Sequence, residues 1–321
     1  MPSPAKLQVA VLDDYQNVAL DYADWRTIED RCQVTVFRDT VAYSEELVER
    51  LRPFDVLCLM RERTPLPRAL IDRLPALKLV VTTAGHNHAI DGAALRERGI
   101  PLCGTTAATN PTVELTWTLI LALARNLVDE SLNMREGRWQ TTVGTDLRGA
   151  TLGIAGLGKL GSEIARVASA FGMRVIAWSR NLTDERAAAG GAQRVSKAEL
   201  FEQSDFLTVH LKLSPESVGI IGAEDLGRMK PSAYFINTSR GPLVDQDALV
   251  NVLRQGRIAG AAVDVYDIEP PPGDHVLRTL DRLLATPHLG YVTKDNYKRF
   301  YRDTVEDIRA WLDGTPVRLI E

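Results

Sequence analysis

Short apolar runs rich in β-branched residues alternate with segments of three-to-four spacing almost from end to end of the chain. That alternation is the mark of βαβ units built around parallel sheets. The first half offers strands at 8–12, 33–37, 55–60, 77–83 and 101–104; the second offers them at 151–155, 174–178, 206–211, 233–237, 260–265 and 283–286. Several runs are apolar without interruption, such as Leu79-Val80-Val81 and Val175-Ile176-Ala177. Strands covered by helices on both faces read this way. The two series predict an α/β fold of two doubly wound parallel-sheet lobes.

A boundary is expected near Gly104–Pro111, where Gly-Thr-Thr-Ala-Ala-Thr-Asn-Pro precedes a long helix from about Thr112. A last helix, about Asp295 to Leu312, carries Phe300, Thr304/Val305, Ile308 and Trp311/Leu312 on one face. That face needs a partner, and no third lobe exists to supply one. If the helix returns to the first lobe the chain crosses twice, with hinges near Gly104–Pro111 and Gly290–Asp295 and closure over a ligand.

Composition narrows the class. The chain has 321 residues, enough for about two domains, and a net charge of −4. This balance offers no electrostatic footprint for nucleic acid or an anionic membrane. The longest helical apolar stretch, Leu115 to Ala124, is interrupted by Thr116 and Thr118 and is too short to span a bilayer. Cys32, Cys58 and Cys103 are odd in number and widely spaced, which suits neither a disulfide framework nor a zinc cluster. The opening Met-Pro-Ser-Pro-Ala-Lys lacks the pattern of a signal peptide. A cytoplasmic protein is expected.

The strongest local signal is Thr151-Leu-Gly-Ile-Ala-Gly156-Leu-Gly158-Lys159-Leu160-Gly161, a strand running into G-x-G-x-x-G. Leu160, Ile164, Val167 and Phe171 then mark one face of a helix. Gly156 permits the tight turn, Gly158 lets backbone approach a pyrophosphate, and Gly161 lets helix pack close on strand. Lys159 and Leu160 open the helix, whose N-terminus presents N–H groups and partial positive charge to phosphates. Strand, loop, helix and next strand in this order predict dinucleotide binding.

Further motifs follow in a fixed order: Thr-Ala-Gly-His-Asn-His-Ala-Ile-Asp (83–91), Asn-Pro-Thr-Val-Glu-Leu (110–115), Asn-Thr-Ser-Arg-Gly (237–241), Ala-Val-Asp-Val-Tyr-Asp-Ile-Glu-Pro (262–270) and Thr-Pro-His-Leu-Gly (286–290). With the glycine loop they make the sequence resemble the D-isomer-specific 2-hydroxyacid dehydrogenases over essentially its whole length. The resemblance implies a Rossmann-type NAD(P)-binding domain, residues 105–293, inserted in a flavodoxin-like substrate domain made of residues 1–104 plus 294–321. It also implies a homodimer, formed through the long helix after Pro111.

The resemblance assigns catalysis to Arg240, Glu269 and His288, and the chemistry agrees. Hydride reduction of a 2-keto acid leaves negative charge on the former carbonyl oxygen, so a proton donor must stand there. A histidine, with an ordinary pKa of ~6.5, exchanges that proton near neutrality. Glu269 beside it would favour the imidazolium and orient the ring. Arg240, permanently cationic and forked, suits a substrate carboxylate and polarises the carbonyl. Read singly, each of the three also fits a solvated loop or turn residue.

By the same resemblance Asp264 meets the nicotinamide carboxamide, with Leu211, Thr238, Ser239 and Gly290 lining that side of the cofactor. The Ala84-Gly85-His86 turn follows a strand, and its N–H groups form a nest for the substrate carboxylate. Relatives commonly read Gly-x-Gly-x-Asp-Asn-Ile-Asp here; this chain places two imidazoles, His86 and His88, in that stretch. Arg61, Glu62 and Arg63 follow another strand and are either cleft residues or a solvated loop. The strand ending Ala177-Trp178-Ser179-Arg180 lacks the carboxylate that accepts from the ribose hydroxyls in NAD enzymes. Ser179 does not repel a 2′-phosphate and Arg180 can pair with one, so NADP(H) is favoured and NAD(H) remains open if Arg180 only stacks on adenine or faces solvent. Two rival readings are a formate dehydrogenase-like enzyme, whose relatives carry Gln at the position of Glu269, and a dinucleotide-sensing regulator of the corepressor branch.

Overall fold

The computed structural model describes residues 5–320; the first four residues of the N-terminal stretch read above, and Glu321, lie outside the described residues. The chain divides into two compact units, one formed by the residues up to Ala108 and from Thr293 onward, the other by Thr109–Val292.

In the first unit β1 (Leu7–Val11), β2 (Cys32–Val36), β3 (Val56–Leu59), β4 (Leu79–Thr82) and β5 (Leu102–Gly104) form one parallel sheet in the order β2-β1-β3-β4-β5. This is the flavodoxin-like order, with its switch point between β1 and β3. Strands β3 and β4 are buried along their whole length, as their predominantly apolar sequences require. The Lys294–Leu312 helix packs against β4 and the Trp25–Ile28 turn. Its buried face includes Phe300, Thr304, Val305 and Ile308, but also Tyr297, Tyr301, Asp303 and Asp307. Trp311 and Leu312, expected on that face, are only half-buried.

The second unit holds β6 (Thr151–Ala155), β7 (Arg174–Trp178), β8 (Gln193–Arg194), β9 (Phe206–Val209), β10 (Tyr234–Asn237), β11 (Gly260–Val263) and β12 (Leu283–Ala285). All pair in parallel, in the order β12-β11-β10-β9-β6-β7-β8. Chain order runs outward in both directions from β6, the Rossmann arrangement, so the switch point lies between β6 and β9. Strand β8 has no counterpart in the apolar pattern because both of its residues are polar and exposed. The Lys159–Ala170 helix buries Gly161, Ile164, Ala165 and Ala168. The face expected from spacing is therefore rotated: Leu160 and Val167 are half-buried, and Phe171 lies past the helix end, exposed and stacked on Trp117 at 5.0 Å. Among the described residues no helix is long and apolar enough to cross a membrane.

Register aligns the strand ends. Ala155 pairs with Val209, Asn237 with Val263, and Val263 with Ala285. Gly156 and His210 thus leave the sheet side by side, as do Thr238, Asp264 and Thr286.

Candidate active site

At the switch point Gly156 has φ 105°, and a Cβ there would lie 2.6 Å from the His210 carbonyl, so only glycine fits. A Cβ at Gly161 would come 2.3 Å from the Gly156 carbonyl oxygen, fixing the close helix–strand approach. Nothing lies within 4 Å of a Cβ built on Gly158. That open face adjoins the first-turn N–H groups of Lys159, Leu160 and Gly161, which have no intrahelical acceptor. The residues present therefore fit a dinucleotide pyrophosphate. The motif gave no sign of His210: burial holds its imidazole neutral, with a pKa pushed down to about 3. Its Nε2 bonds Thr208 Oγ1 at 2.8 Å, and its buried Nδ1 has no hydrogen-bond partner among the described residues.

Ser179 is half-buried at the end of β7. Arg180 is exposed and donates from Nη2 to the Glu216 carbonyl at 3.0 Å. This corner lies on the β7 side of β6, whereas β10, β11 and β12 lie on the other.

Beyond β10 a buried side chain shapes the loop. Asn237 donates to the Arg240 carbonyl at 3.0 Å and accepts from the Ser239 N–H at 3.0 Å. Ser239 Oγ donates to the Leu211 carbonyl at 2.7 Å, and Thr238 Oγ1 lies 2.8 Å from Thr116 Oγ1. Arg240 Nη1 donates to the Ser239 carbonyl at 2.8 Å. A Cβ on Gly241 would lie 2.3 Å from the Tyr266 carbonyl carbon, so the loops after β10 and β11 approach through that glycine.

The Asp264 carboxylate is completely buried. Its Oδ1 accepts from Thr286 Oγ1 at 2.6 Å and the Leu289 N–H at 2.7 Å, and its Oδ2 accepts from the Gly290 N–H at 2.8 Å. Burial pushes this carboxyl upward, and the Thr286 hydrogen bond opposes the shift. Asp264 is thus the anchor of the turn that presents His288, a residue held at φ 53°. His288 Nδ1 lies 2.5 Å from Glu269 Oε2, with side chains only 11% and 16% exposed. Glu269 Oε1 accepts from the Tyr266 N–H at 2.9 Å. Tyr266, unremarked in the sequence, donates its hydroxyl to the Thr286 carbonyl at 2.8 Å. Burial pushes its phenol up to about 12, so it stays a donor.

Ala84, Gly85 and His86 belong to the first unit. Ala84 is buried at φ 67°, and its N–H is taken by Thr105 Oγ1 at 2.8 Å. Gly85 and His86 are exposed, and so is His88. Asn87, not singled out by the motif, donates to the Arg61 carbonyl at 2.6 Å and to Thr82 Oγ1 at 2.9 Å.

Residues 117–290 match the family model described as D-isomer specific 2-hydroxyacid dehydrogenase, NAD binding domain. The chain is 36% identical to a D-3-phosphoglycerate dehydrogenase of Methanocaldococcus jannaschii over 84% of its own length and 52% of the relative's. It is also 36% identical to a glyoxylate reductase of Aeropyrum pernix, over 84% of this chain and 83% of that one. A solved phosphoglycerate oxidoreductase from Vibrio cholerae superposes with a TM-score of 0.91 at 37% identity, covering 96% of this chain and 99% of that one. The chain spans little more than half the length of the phosphoglycerate dehydrogenases of Methanocaldococcus jannaschii and Synechocystis that it matches, 52% and 58%.

Proposed function

The chain belongs to the D-isomer specific 2-hydroxyacid dehydrogenase family, and from that membership we propose that it transfers a hydride between a nicotinamide cofactor and a small 2-keto acid/D-2-hydroxy acid pair. The observation that carries the reading is the 2.5 Å His288–Glu269 contact at the carboxyl edge of a dinucleotide-type sheet. A formate-oxidising site needs no proton donor; a keto-acid site does.

When bound, the reduced nicotinamide supplies the hydride. Arg240 binds the substrate carboxylate and draws electron density from the carbonyl oxygen. With Nδ1 committed to Glu269, His288 delivers its proton from Nε2 to the developing alkoxide, giving the hydroxy acid. Glu269 remains ionised and stabilises the imidazolium before transfer; the reverse reaction runs through the same groups. Asp264 has one lone-pair position beyond its three internal hydrogen bonds for the carboxamide. The Gly85 and His86 N–H groups serve as the nest for a substrate carboxylate, Ala84 being already bonded.

NADP(H) is the favoured cofactor. Ser179 puts no carboxylate against a 2′-phosphate, and among the described residues Arg180 gives one of its five N–H donors to the Glu216 carbonyl. NAD(H) is the alternative. The protein works as a homodimer through the Asn110–Ala124 helix and the segment after it, where Leu127, Leu132, Met134, Trp139 and Val143 are all exposed. Three free, buried cysteines fit a reducing, cytoplasmic setting.

The test is turnover of glyoxylate, hydroxypyruvate and related 2-keto acids with NADH and with NADPH, followed by nicotinamide absorbance. Turnover of at least one acid is expected; none with either cofactor overturns the reading.

A further inference from the structure

Polar side chains are buried in a row along the carboxyl edge of the β2-β1-β3-β4-β5 sheet. Asp13, Thr64, Thr82, Thr83 and Thr105 are each at most 4% exposed. Burying such groups is unfavourable unless each is hydrogen-bonded, and these are bonded to one another's loops in the order of the strands. The loop after β2 reaches the loop after β1: Thr40 Oγ1 donates to Asp13 Oδ1, and Tyr15 in turn donates to Thr40. The loop after β3 reaches the same carboxylate, Thr64 Oγ1 donating to Asp13 Oδ2 at 2.8 Å. From β3 the lacing passes to β4, because the Arg61 N–H donates to Thr83 Oγ1 at 2.8 Å and Asn87 closes back on the Arg61 carbonyl at 2.6 Å. It ends at β5 with the Ala84 N–H on Thr105 Oγ1.

The same edge stores strain. Asp13, Arg61 and Ala84 all hold left-handed backbone, at φ 61°, 54° and 67°. None is a glycine, and each lies just past the end of β1, β3 or β4. Such conformations persist only where the surroundings over-determine them, and they gather at ligand sites. Asp13 ties both neighbouring loops through its two oxygens, across the β1/β3 switch point. Burial opposes its ionisation, while the Thr40 and Thr64 hydroxyls and the Arg63 guanidinium favour it.

We infer that Asp13 is a positioning residue: through Thr64 it fixes the 60–64 turn, and through Arg61 and Asn87 that turn fixes the Gly85–His86 anion nest. It touches no reacting atom. The inference rests on the proposed role of that nest in binding the substrate carboxylate. It places control of substrate affinity in a carboxylate at the far side of the switch point from the nest.

Thr64→Val removes one hydroxyl at nearly constant volume, and Thr64→Ser restores it. With the full-length enzyme, Thr64→Val should raise KM for the best 2-keto acid by about tenfold, the scale of a small misplacement of a binding group. Neither kcat nor the NADPH dissociation constant should change by more than about twofold, since neither depends on this edge, and Thr64→Ser should return KM to the wild-type value. Amide hydrogen exchange supplies an arm independent of turnover: in Thr64→Val and Asp13→Asn, the hydrogen-bonded amides of Arg61 and Ala84 that flank the nest should exchange faster while the second unit does not change. A folded Thr64→Val enzyme with wild-type KM and wild-type exchange overturns the inference. If the wild-type protein reduces no keto acid, the proposed function falls, and the exchange result alone decides whether Asp13 holds the nest.

Discussion

Glu269 stands between two partners: one carboxylate oxygen contacts His288 Nδ1 at 2.5 Å and the other accepts the Tyr266 N–H at 2.9 Å. The second bond fixes the carboxylate relative to β11, so the first fixes the imidazole. His288→Ala should lower keto-acid turnover by ~100-fold or more, the scale of general acid catalysis. Glu269→Gln keeps the Tyr266 bond but removes the anion opposite the ring, so its turnover should fall as well. Steady-state turnover of both variants checks this, and near-normal turnover by His288→Ala would exclude the assignment.

Arg240 is aimed by its own loop, with Asn237 holding the backbone on either side and Nη1 bonded to Ser239. Arg240→Lys keeps the charge and loses the fork. KM should rise and kcat fall together, because both carboxylate binding and carbonyl polarisation weaken. Steady-state kinetics on several keto acids measure the split; wild-type constants would place the carboxylate elsewhere.

Much of this was legible in the sequence because the responsible residues sit in contiguous motifs at strand ends. Eleven of the strands follow from short runs dominated by apolar residues, whereas β8, two exposed polar residues, leaves no apolar trace. Periodicity also misplaced Phe171, since spacing alone cannot tell where a helix stops. The clamps were hidden for a different reason. Asn237 and Tyr266 act through backbone groups brought close by register, and Asp303 and Asp307 lie on a helix face that apolar counting treats as broken.

The proposed NADP(H) preference is tested at Arg180. Its side chain is exposed at the end of β7 and donates from Nη2 to the Glu216 carbonyl at 3.0 Å. Arg180→Ala should weaken NADPH binding by about tenfold or more, in line with a lost charge-assisted hydrogen bond, and leave NADH nearly unchanged. Fluorescence titration with each cofactor decides it. A wild-type kcat/KM higher with NADH than with NADPH would refute the preference.

The exposed apolar segment predicts association. Trp139 is 73% exposed and Val143 95%, next to Leu127, Leu132 and Met134. Replacing Leu132 and Trp139 together with lysine should turn a dimer into a soluble monomer of the same secondary structure. Sedimentation at micromolar concentration reads the mass, and a wild-type monomer under those conditions would rule out the dimer.

Stability should depend on pH through Asp307. This carboxylate is fully buried on the last helix, with Oδ1 accepting from Arg318 Nε at 2.9 Å and Oδ2 without a hydrogen-bond partner among the described residues. Arg318 also serves Glu306 Oε2 at 2.9 Å and the Asp303 carbonyl at 3.0 Å, so its charge is shared. Burial pushes Asp307 from 3.8 up to about 7, against the pull of Arg318 and with the carboxylates of Asp303 and Glu306 adding to the rise. A raised carboxyl pKa means the folded state holds its proton more tightly than the unfolded chain. The associated stability is fully present below about pH 4 and is lost as pH climbs to about 7, a fall of at most about 4 kcal/mol. Asp307→Asn is neutral throughout and lacks this fall. Between pH 5 and 8 the wild-type Tm should therefore drop relative to that of Asp307→Asn, the variant being the more stable at pH 8. Thermal melts of the two proteins across that range test the sign, and parallel curves would show that another group titrates.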